Sequence, residues 1–449
     1  IKTMKQQHKQ YAMFIYLGFG SCVTYFCVMA QTNYWNYFYD ANMLTIMSVV
    51  SSVAEMCGSY LVLKIQQHFN ARFFSYLMLF VTTISLALII PLHYIKNETL
   101  KTILTLIPVA LCGCVSQMYY PTLIAMSARL DKSLSTALQI GNGLCEVSFQ
   151  IIEDLIFLAV PRAKDPTKQA GSLILNAAIY YGIAILLLVG GFLAFLRVEK
   201  RYPQCKIVKI AGVKMQLVKS DSHNFDQNLD QKIEDSDDLH GEQQNINEVE
   251  IQNIHNQTNT TNTAKTVKPI ISRNKTVLLK IWWFGLSIGF SNILVTVFFP
   301  LFICSVPSWN LFKRTGELQN DSFNLVVMTV SFGCDFLGRV LAAFVKVKGK
   351  IFAKVFVACC FLRGGLCVLF VLQCFPLSDQ VIKSDALFFV VLVVFALSSS
   401  ALQTLSYSGF QGMVEETEKR QASYLISVFM QGGLFAGSLC SIGLMFLFE

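Results

Sequence analysis

Charged side chains are scarce in this sequence. Asp, Glu, Lys and Arg make up 14% of its 449 residues, against about 25% in typical soluble domains, while 54% of the residues are hydrophobic. A soluble chain of this length cannot bury so much apolar surface in its core. The scarcity of charge therefore excludes an ordinary soluble protein and indicates a membrane protein.

The sequence also lacks the motifs of common enzymes and metal sites. It has no HExxH or GxSxG motif, and its 14 cysteines form no CxxC pair with metal-ligand spacing. No extramembrane domain is large enough for a receptor. The formal net charge of +8 comes from bases scattered among short loops, which is typical of topology signals and not of a nucleic-acid-binding surface. We expect no enzyme activity, no metal, no cofactor and no nucleic-acid partner.

What the chain has is a series of apolar runs of about 20 residues, the length that crosses a bilayer as a helix. The fold class is therefore predicted as all-α, a polytopic membrane protein with 11 transmembrane helices in two bundles of six and five. The predicted segments are 11–31, 43–63, 73–93, 102–127, 136–160, 171–196, 277–304, 322–345, 351–374, 386–410 and 422–447.

A long polar stretch divides the chain into a first bundle at 1–196, a loop at 197–276 and a second bundle at 277–449. The loop is basic at its start, acidic in its centre and rich in Asn, Gln and Thr toward its end, a composition that favours disorder. Lys and Arg concentrate in alternate short loops. This bias predicts a cytoplasmic N-terminus and loop and, with an odd number of spans, a C-terminus outside.

This topology has consequences for modification and location. Asn97 and Asn320 begin Asn-x-Ser/Thr sequons in predicted outer loops, so both are candidate glycosylation sites. Cys304 and Cys374 also fall near the predicted outer face, where they either form a disulfide or stay free. We expect a monomer in the lipid bilayer of the plasma membrane, with small-molecule substrates as partners.

Asp335 and Arg339 are the most informative polar residues, because they place an acid and a base inside the apolar run 322–345. Their spacing of four puts both on one face of a helix. Asp335 is about 15 Å along the axis from the loop lysines that begin at Lys346, which places it near the midplane. Intramembrane charges usually line a substrate path, and a purely structural ion pair is the alternative.

Other polar residues lie at membrane depth. Gln117 supplies an amide donor and acceptor that suit a nucleobase edge, although a glutamine that bridges two helices is the alternative. Trp35 and Asn36 set an aromatic face beside an amide, which suits a ring-shaped polar ligand. Glu55 and Glu146 are acids that have no obvious partner in sequence and are candidates for proton coupling.

In the seventh segment, Phe299 and Pro300 indicate a bend of the kind that gates use.

Taken together, these residues resemble the equilibrative nucleoside transporter family over nearly the whole chain. Asp335-Phe-Leu-Gly338-Arg339 resembles the family's D-x-x-G-R in span eight, and Gly113-x-x-x-Gln117 its span-four G-x-x-x-Q. Tyr34-Trp35-Asn36 and Phe299-Pro300 resemble its span-one and span-seven motifs. In span ten, Ser398-Ser399-Ser400-Ala401 stands where many members have Ser-Asn-Gly-Tyr, which leaves substrate preference open.

The resemblance implies a major-facilitator-like fold without the twelfth helix. It also implies that Gln117 reads the base, that Trp35 packs near the ligand, and that Asp335 with Arg339 holds ribose hydroxyls and base. The expected function is facilitative transport of nucleosides by alternating access, with nucleobases as further candidate substrates. A facilitator-type carrier of a sugar or drug, or a proton-coupled nucleoside transporter, remain the alternatives. The depth of the D-x-x-G-R element favours the nucleoside family, since the similar facilitator element lies in a cytoplasmic loop.

Overall fold

The structure of the protein is a computed structural model. It describes residues 2–29, 31–39, 43–66, 68–159, 166–202, 270–298, 318–345, 350–374 and 384–448. Phe299, Pro300 and Cys304 lie outside the described residues, and so does the greater part of the predicted loop 197–276. The side chains of Asn36, Asn320 and Cys374 are likewise outside what the structure describes.

The described residues form eleven long α-helices and one short one, which confirms the all-α prediction. The helices are α1 (Lys2–Met29), α2 (Thr32–Phe38), α3 (Met43–Ile65), α4 (Ala71–Leu92), α5 (Glu98–Leu130), α6 (Lys132–Ala159), α7 (Pro166–Arg201), α8 (Ile270–Phe298), α9 (Leu318–Ala342), α10 (Lys350–Cys374), α11 (Asp385–Gly409) and α12 (Lys419–Phe448). A 3-10 turn, Phe410–Met413, follows α11. The short helix α2 was not predicted, because a loop was expected between the first two spans.

Each predicted apolar segment coincides with one long helix. Ten of these helices are long and apolar enough to cross a membrane, counted over the described residues. The remaining one is α6, which lines its buried face with polar side chains such as Gln139, Asn142, Glu146 and Gln150. Among the described residues, seven buried side chains of α6 are polar or charged.

Helix α4 illustrates how these sequences favour membrane helices. Large apolar side chains recur every three or four residues and are exposed, namely Phe73, Tyr76, Phe80, Ile84 and Leu88. The opposite face buries Ser75, Thr82 and Ser85. Such a helix is stable in lipid, because its apolar face meets acyl chains and its small polar groups find partners inside the protein.

The described helices pack as one compact unit. In it, α1 packs on α6, α3 on α5, and α9 on α11. The helices before and after the long loop meet where α9 contacts α6 and where α12 contacts α3 and α5. These contacts between the early helices (α1–α7) and the late helices (α8–α12) position the polar residues described next.

Candidate functional site

Arg339 is the centre of a buried polar cluster. Its Nε donates to Asp335 Oδ2 at 2.6 Å, one turn earlier on α9. Its two terminal nitrogens donate across to α6, from Nη1 to Gln139 Oε1 at 2.8 Å and from Nη2 to Glu146 Oε1 at 3.1 Å. The guanidinium is 7% exposed. A planar five-donor group is suited to joining several acceptors in this way.

The cluster holds two carboxyl groups beside one guanidinium. Glu146 and Asp335 are both within ion-pair distance of Arg339. The Asp335 side chain is 19% exposed, more than that of Glu146. Asp335 therefore retains acceptor capacity on the side that faces open space.

Hydrogen bonds extend the cluster through the early helices. Gln139 Nε2 donates to the Tyr120 hydroxyl on α5, and that hydroxyl lies 3.1 Å from the side-chain amide of Asn142. The Asn142 amide nitrogen, in its hydrogen-bonded orientation, donates to the Gly18 carbonyl on α1 at 2.8 Å. One chain of polar groups thus connects α9 to α6, α5 and α1.

Two glycines let the helices approach closely enough for these contacts. A Cβ at Gly143 on α6 would lie 2.8 Å from Arg339 Cδ. A Cβ at Gly338 on α9 would collide with the Ser400 hydroxyl and lie 2.5 Å from the Leu397 carbonyl oxygen of α11. The glycine of the D-x-x-G-R element is therefore a helix-packing residue, and the divergent serine stretch of span ten is what it packs against.

A small pocket lies between α1, α3 and α5. Its walls include the Tyr25 ring, Ser51, Gly113 and Ser116. Tyr25 is 37% exposed, which is high for a large side chain that faces a cavity. At Gly113, a Cβ would come within 3.2 Å of Glu55 Cγ, so this glycine allows α5 to approach α3.

Gln117 and Glu55 are both poorly paired. The Gln117 Oε1 atom is buried and has no hydrogen-bond partner among the described residues. Glu55 is 4% exposed and accepts one hydrogen bond among the described residues, from Ser51 Oγ at 3.0 Å. Buried polar atoms are rarely left unpaired, so each is a candidate to meet a ligand, a water molecule or a proton.

Trp35 lies apart from this cluster. It is fully buried on α2, its indole Nε1 donates to the Val28 carbonyl at 2.8 Å, and its ring packs against Tyr39. Asn36 is on the same helix, and its side chain is not described. The structure thus brings together Asp335, Arg339 and Glu146, and puts Trp35 in a separate apolar cluster.

Three residues were not predicted as site residues, namely Gln139, Tyr25 and Arg363. Gln139 was seen only as part of a glycine-rich helix, and Tyr25 gave no signal because aromatic residues are frequent in apolar runs. Arg363 on α10 did give a sequence signal, because it is a full charge within the apolar segment 351–374. The same feature singled out Arg339. Its side chain is 4% exposed.

The early and late helices are in contact at the end where α5 finishes and α12 begins. Lys419 Nζ donates to the Ala128 carbonyl at 3.0 Å, and the hydroxyls of Thr122 and Tyr424 lie 3.1 Å apart. Gln411 also donates to Ser135.

They are also in contact toward the opposite end. Thr329 Oγ1 of α9 donates to Asp154 Oδ2 of α6 at 2.7 Å, and the hydroxyls of Ser52 and Ser438 lie 3.0 Å apart. The described early and late helices therefore contact each other at two levels along the bundle.

Solved structures of similar fold are membrane transporters. The proton:xylose symporter XylE bound to 6-bromo-6-deoxy-D-glucose is 10% identical with a TM-score of 0.56, over 97% of this chain and 87% of that one. A bacterial homologue of the iron transporter ferroportin in the outward-facing state is 8% identical with a TM-score of 0.54, over 97% of both chains. The major facilitator superfamily transporter FucP in the outward conformation is 13% identical with a TM-score of 0.51, over 98% and 97%. The fold is therefore major-facilitator-like.

The family model for nucleoside transporters matches residues 106–446, more than half of the chain. The match includes Gly113, Gln117, Asp335 and Arg339, whereas Trp35 and Asn36 precede it. A search of curated protein sequences finds no match. The chain belongs to the nucleoside transporter family: it is a multi-pass membrane protein that transports nucleosides across a membrane, and it is not an enzyme.

Proposed function

We propose that this transporter works by facilitated diffusion with alternating access, so that nucleosides, and also nucleobases, move down their own gradients. The observation that carries the proposal is the sharing of Arg339 between the late helix α9 and the early helix α6. A substrate that takes over part of this hydrogen bonding changes how firmly the two groups of helices are held together. Binding and reorientation are thereby connected.

Asp335 and Arg339 are the proposed ribose-binding residues. Vicinal hydroxyls can each donate and accept, which matches a carboxylate beside a guanidinium. Gln139 and Glu146 now occupy two of the Arg339 nitrogens with oxygen acceptors at 2.8 and 3.1 Å. In the loaded state, substrate hydroxyl oxygens would replace at least one of these acceptors.

The base is proposed to bind beside α5 and α1. The unpaired Gln117 Oε1 can accept from an exocyclic amine or ring N–H, while its amide can donate to a ring nitrogen. Tyr25 supplies the exposed aromatic face. The role predicted for Trp35 and Asn36 against the ligand requires α2 to move, because the Trp35 ring is fully buried. Phe299 and Pro300 remain proposed gate residues.

A proton-coupled mechanism is the second candidate. It is favoured by the carboxyl groups of Asp335 and Glu146, which both contact the Arg339 guanidinium. Two carboxylates and one guanidinium have a net charge of −1, which one bound proton would cancel. Glu55, with its single serine partner, is a further candidate acid.

Uptake into proteoliposomes distinguishes the two mechanisms. Labelled inosine, adenosine, uridine and adenine are supplied without sodium, with and without an inward proton gradient, and glucose serves as the negative control. Facilitated diffusion predicts that the internal nucleoside concentration rises to the external concentration and stops there under both conditions. Accumulation above the external concentration with the gradient would reject this proposal in favour of proton coupling.

Topology, membrane and assembly complete the proposal. We propose a cytoplasmic N-terminus, an outer C-terminus, bundles at 1–196 and 277–449 with a cytoplasmic loop between them, location in the plasma membrane and a monomeric transporter. The ordered polar network lies within one chain, since Arg339, Gln139 and Tyr120 need no second copy to meet their partners.

A further inference from the structure

Arg363 on α10 is a buried arginine that the proposed substrate site does not use. Its Nη1 donates to Ser291 Oγ of α8 at 2.7 Å, and its Nη2 makes a long hydrogen bond of 3.5 Å to the Phe395 carbonyl of α11. The guanidinium carbon lies 4.7 Å from the centre of the Phe395 ring. Its Nε is buried and has no partner among the described residues.

Arg363 and Arg339 differ in their acceptors. Arg339 contacts two carboxylates, whereas among the described residues no carboxylate lies within 4.0 Å of Arg363. A buried cation held only by neutral groups is unfavourable by several kcal/mol unless a more distant negative charge offsets the loss of hydration. A carboxylate at longer range is therefore expected to stabilise Arg363.

Asp335 is the carboxylate that the packing of α9 on α11 puts at the level of Arg363. Helices α9 and α11 run parallel, because the Phe323 and Phe388 rings meet near their starts, and Gly338 packs on Leu397 further along. Asp335, one turn before Gly338, is thus level with Phe395, whose ring contacts Arg363.

These residues form a set of four charges, Arg339, Arg363, Asp335 and Glu146, whose sum is zero with both acids ionised. The uncharged titratable groups around the set are Cys22, Tyr120, Cys334, Cys360, Cys367 and Tyr407. Glu55 is outside the set, and its hydrogen bond is to Ser51 on its own helix. Arg339, Asp335 and Glu146 by themselves have a net charge of −1. The positive charge of Arg363 brings the net charge of the set to zero.

We propose that Arg363 is a positioning residue that acts through Asp335. Its charge balances the second carboxylate of the cluster, so Asp335 and Glu146 stay ionised together and no bound proton is needed in the transport cycle. The proposal rests on facilitated diffusion as the mechanism, and it gives a physical reason for that mechanism in a site with two acids.

The first experiment measures uridine uptake from about pH 6 to about pH 8, with equal pH on both sides of the proteoliposome. Wild type and Arg363→Lys are expected to have flat profiles, because both keep the charge. Arg363→Met leaves one surplus negative charge, so its cluster works only with a proton bound. Its uptake is expected to fall with rising pH, by up to about tenfold per pH unit above the midpoint.

A second variant separates charge balance from packing. Adding Glu146→Gln to Arg363→Met restores a net charge of zero, and we expect it to restore the flat profile even though Glu146 is on α6. Ser291→Ala is the matched control, because it removes the 2.7 Å hydrogen bond of Arg363 and keeps every charge. Its profile is expected to stay flat. Membrane levels are measured for every variant.

The outcomes are distinct. A flat Arg363→Met profile beside a flat wild-type profile overturns the role of Arg363 and leaves facilitated diffusion standing. A loss of uptake or of membrane expression in Arg363→Met that Glu146→Gln does not reverse also overturns it, in favour of a packing role. Accumulation driven by a proton gradient in the wild type rejects facilitated diffusion itself, whatever Arg363→Met does.

Discussion

Arg339 Nη2 and Glu146 Oε1 lie 3.1 Å apart, although the two residues are 193 positions apart in the chain. Arg339 belongs to the late helices and Glu146 to the early ones, so this ion pair connects the two groups of helices at the centre of the protein. Any movement that separates α9 from α6 must break it. The arginine of the D-x-x-G-R element thus takes part in the contact between the two groups of helices as well as in the proposed substrate site.

Substitution of the charged pair is expected to abolish transport. Asp335→Ala and Arg339→Ala should each lower nucleoside uptake by at least about tenfold, the effect of losing about 1.4 kcal/mol of binding. Arg339→Lys is expected to fail as well, because an ammonium cannot reproduce the planar fork that reaches three acceptors. Uptake is normalised to the amount of protein in the membrane. Near-normal flux in both alanine variants would return the pair to a purely structural role.

Gln117→Ala is expected to change the preference among bases more than the total flux. The amide can pair with the base but has no described hydrogen bond through its Oε1, so its removal leaves the protein's own contacts nearly intact. The measurement is competition of adenosine, inosine and uridine for one labelled substrate. Leu111→Ala, at a lipid-facing position of the same helix, is the control. Unchanged selectivity would remove Gln117 from the site.

Gly338→Ala is expected to destabilise the protein by about 1–3 kcal/mol and to reduce uptake, because the new methyl group collides with Ser400 and forces α9 away from α11. The matched control is Gly333→Ala on the same helix, where an added Cβ meets no atom within 4 Å. Thermal unfolding in detergent is compared for the two variants. Equal stability of both would contradict the close contact between α9 and α11.

A cross-link between Ser52 and Ser438 is expected to block transport. Their hydroxyl oxygens are 3.0 Å apart, so paired cysteines in a background without the 14 native ones should form a disulfide that holds α3 to α12. Uptake should stop on oxidation and return on reduction, while each single-cysteine variant stays active. Unimpaired uptake by the fully cross-linked protein would show that α3 and α12 need not separate during the cycle.

Glycosylation at Asn97 tests the proposed orientation. Asn97 is exposed, and its Oδ1 caps α5 by accepting from Leu100 N at 3.0 Å. Thr99→Ala destroys the sequon and keeps this cap, so it is a cleaner change than replacement of the asparagine. In a eukaryotic host, wild type should lose mass on glycosidase treatment and Thr99→Ala should not. The proposed orientation would be wrong if the wild type carried no glycan and a tag inserted in the same loop were accessible only from the cytoplasm.

The helices and the Asp335–Arg339 ion pair followed from the sequence by itself. Both rest on local physics: an apolar run of about 20 residues must form a helix in lipid, and a spacing of four puts two side chains on one helix face. The charge at Arg363 carried the same local signal. Distances in three dimensions were needed to connect it to Asp335.

Only the tertiary structure decided which residues meet. Gln139 and Glu146 reach Arg339 because Gly143 lets α6 approach α9, and Trp35 falls in a separate apolar cluster because α2 folds against the bundle. Such contacts join residues some 200 positions apart, and they depend on the packing of several helices at once. No spacing along one chain segment encodes them, which is why the sequence identified the charged pair and the fold identified its partners.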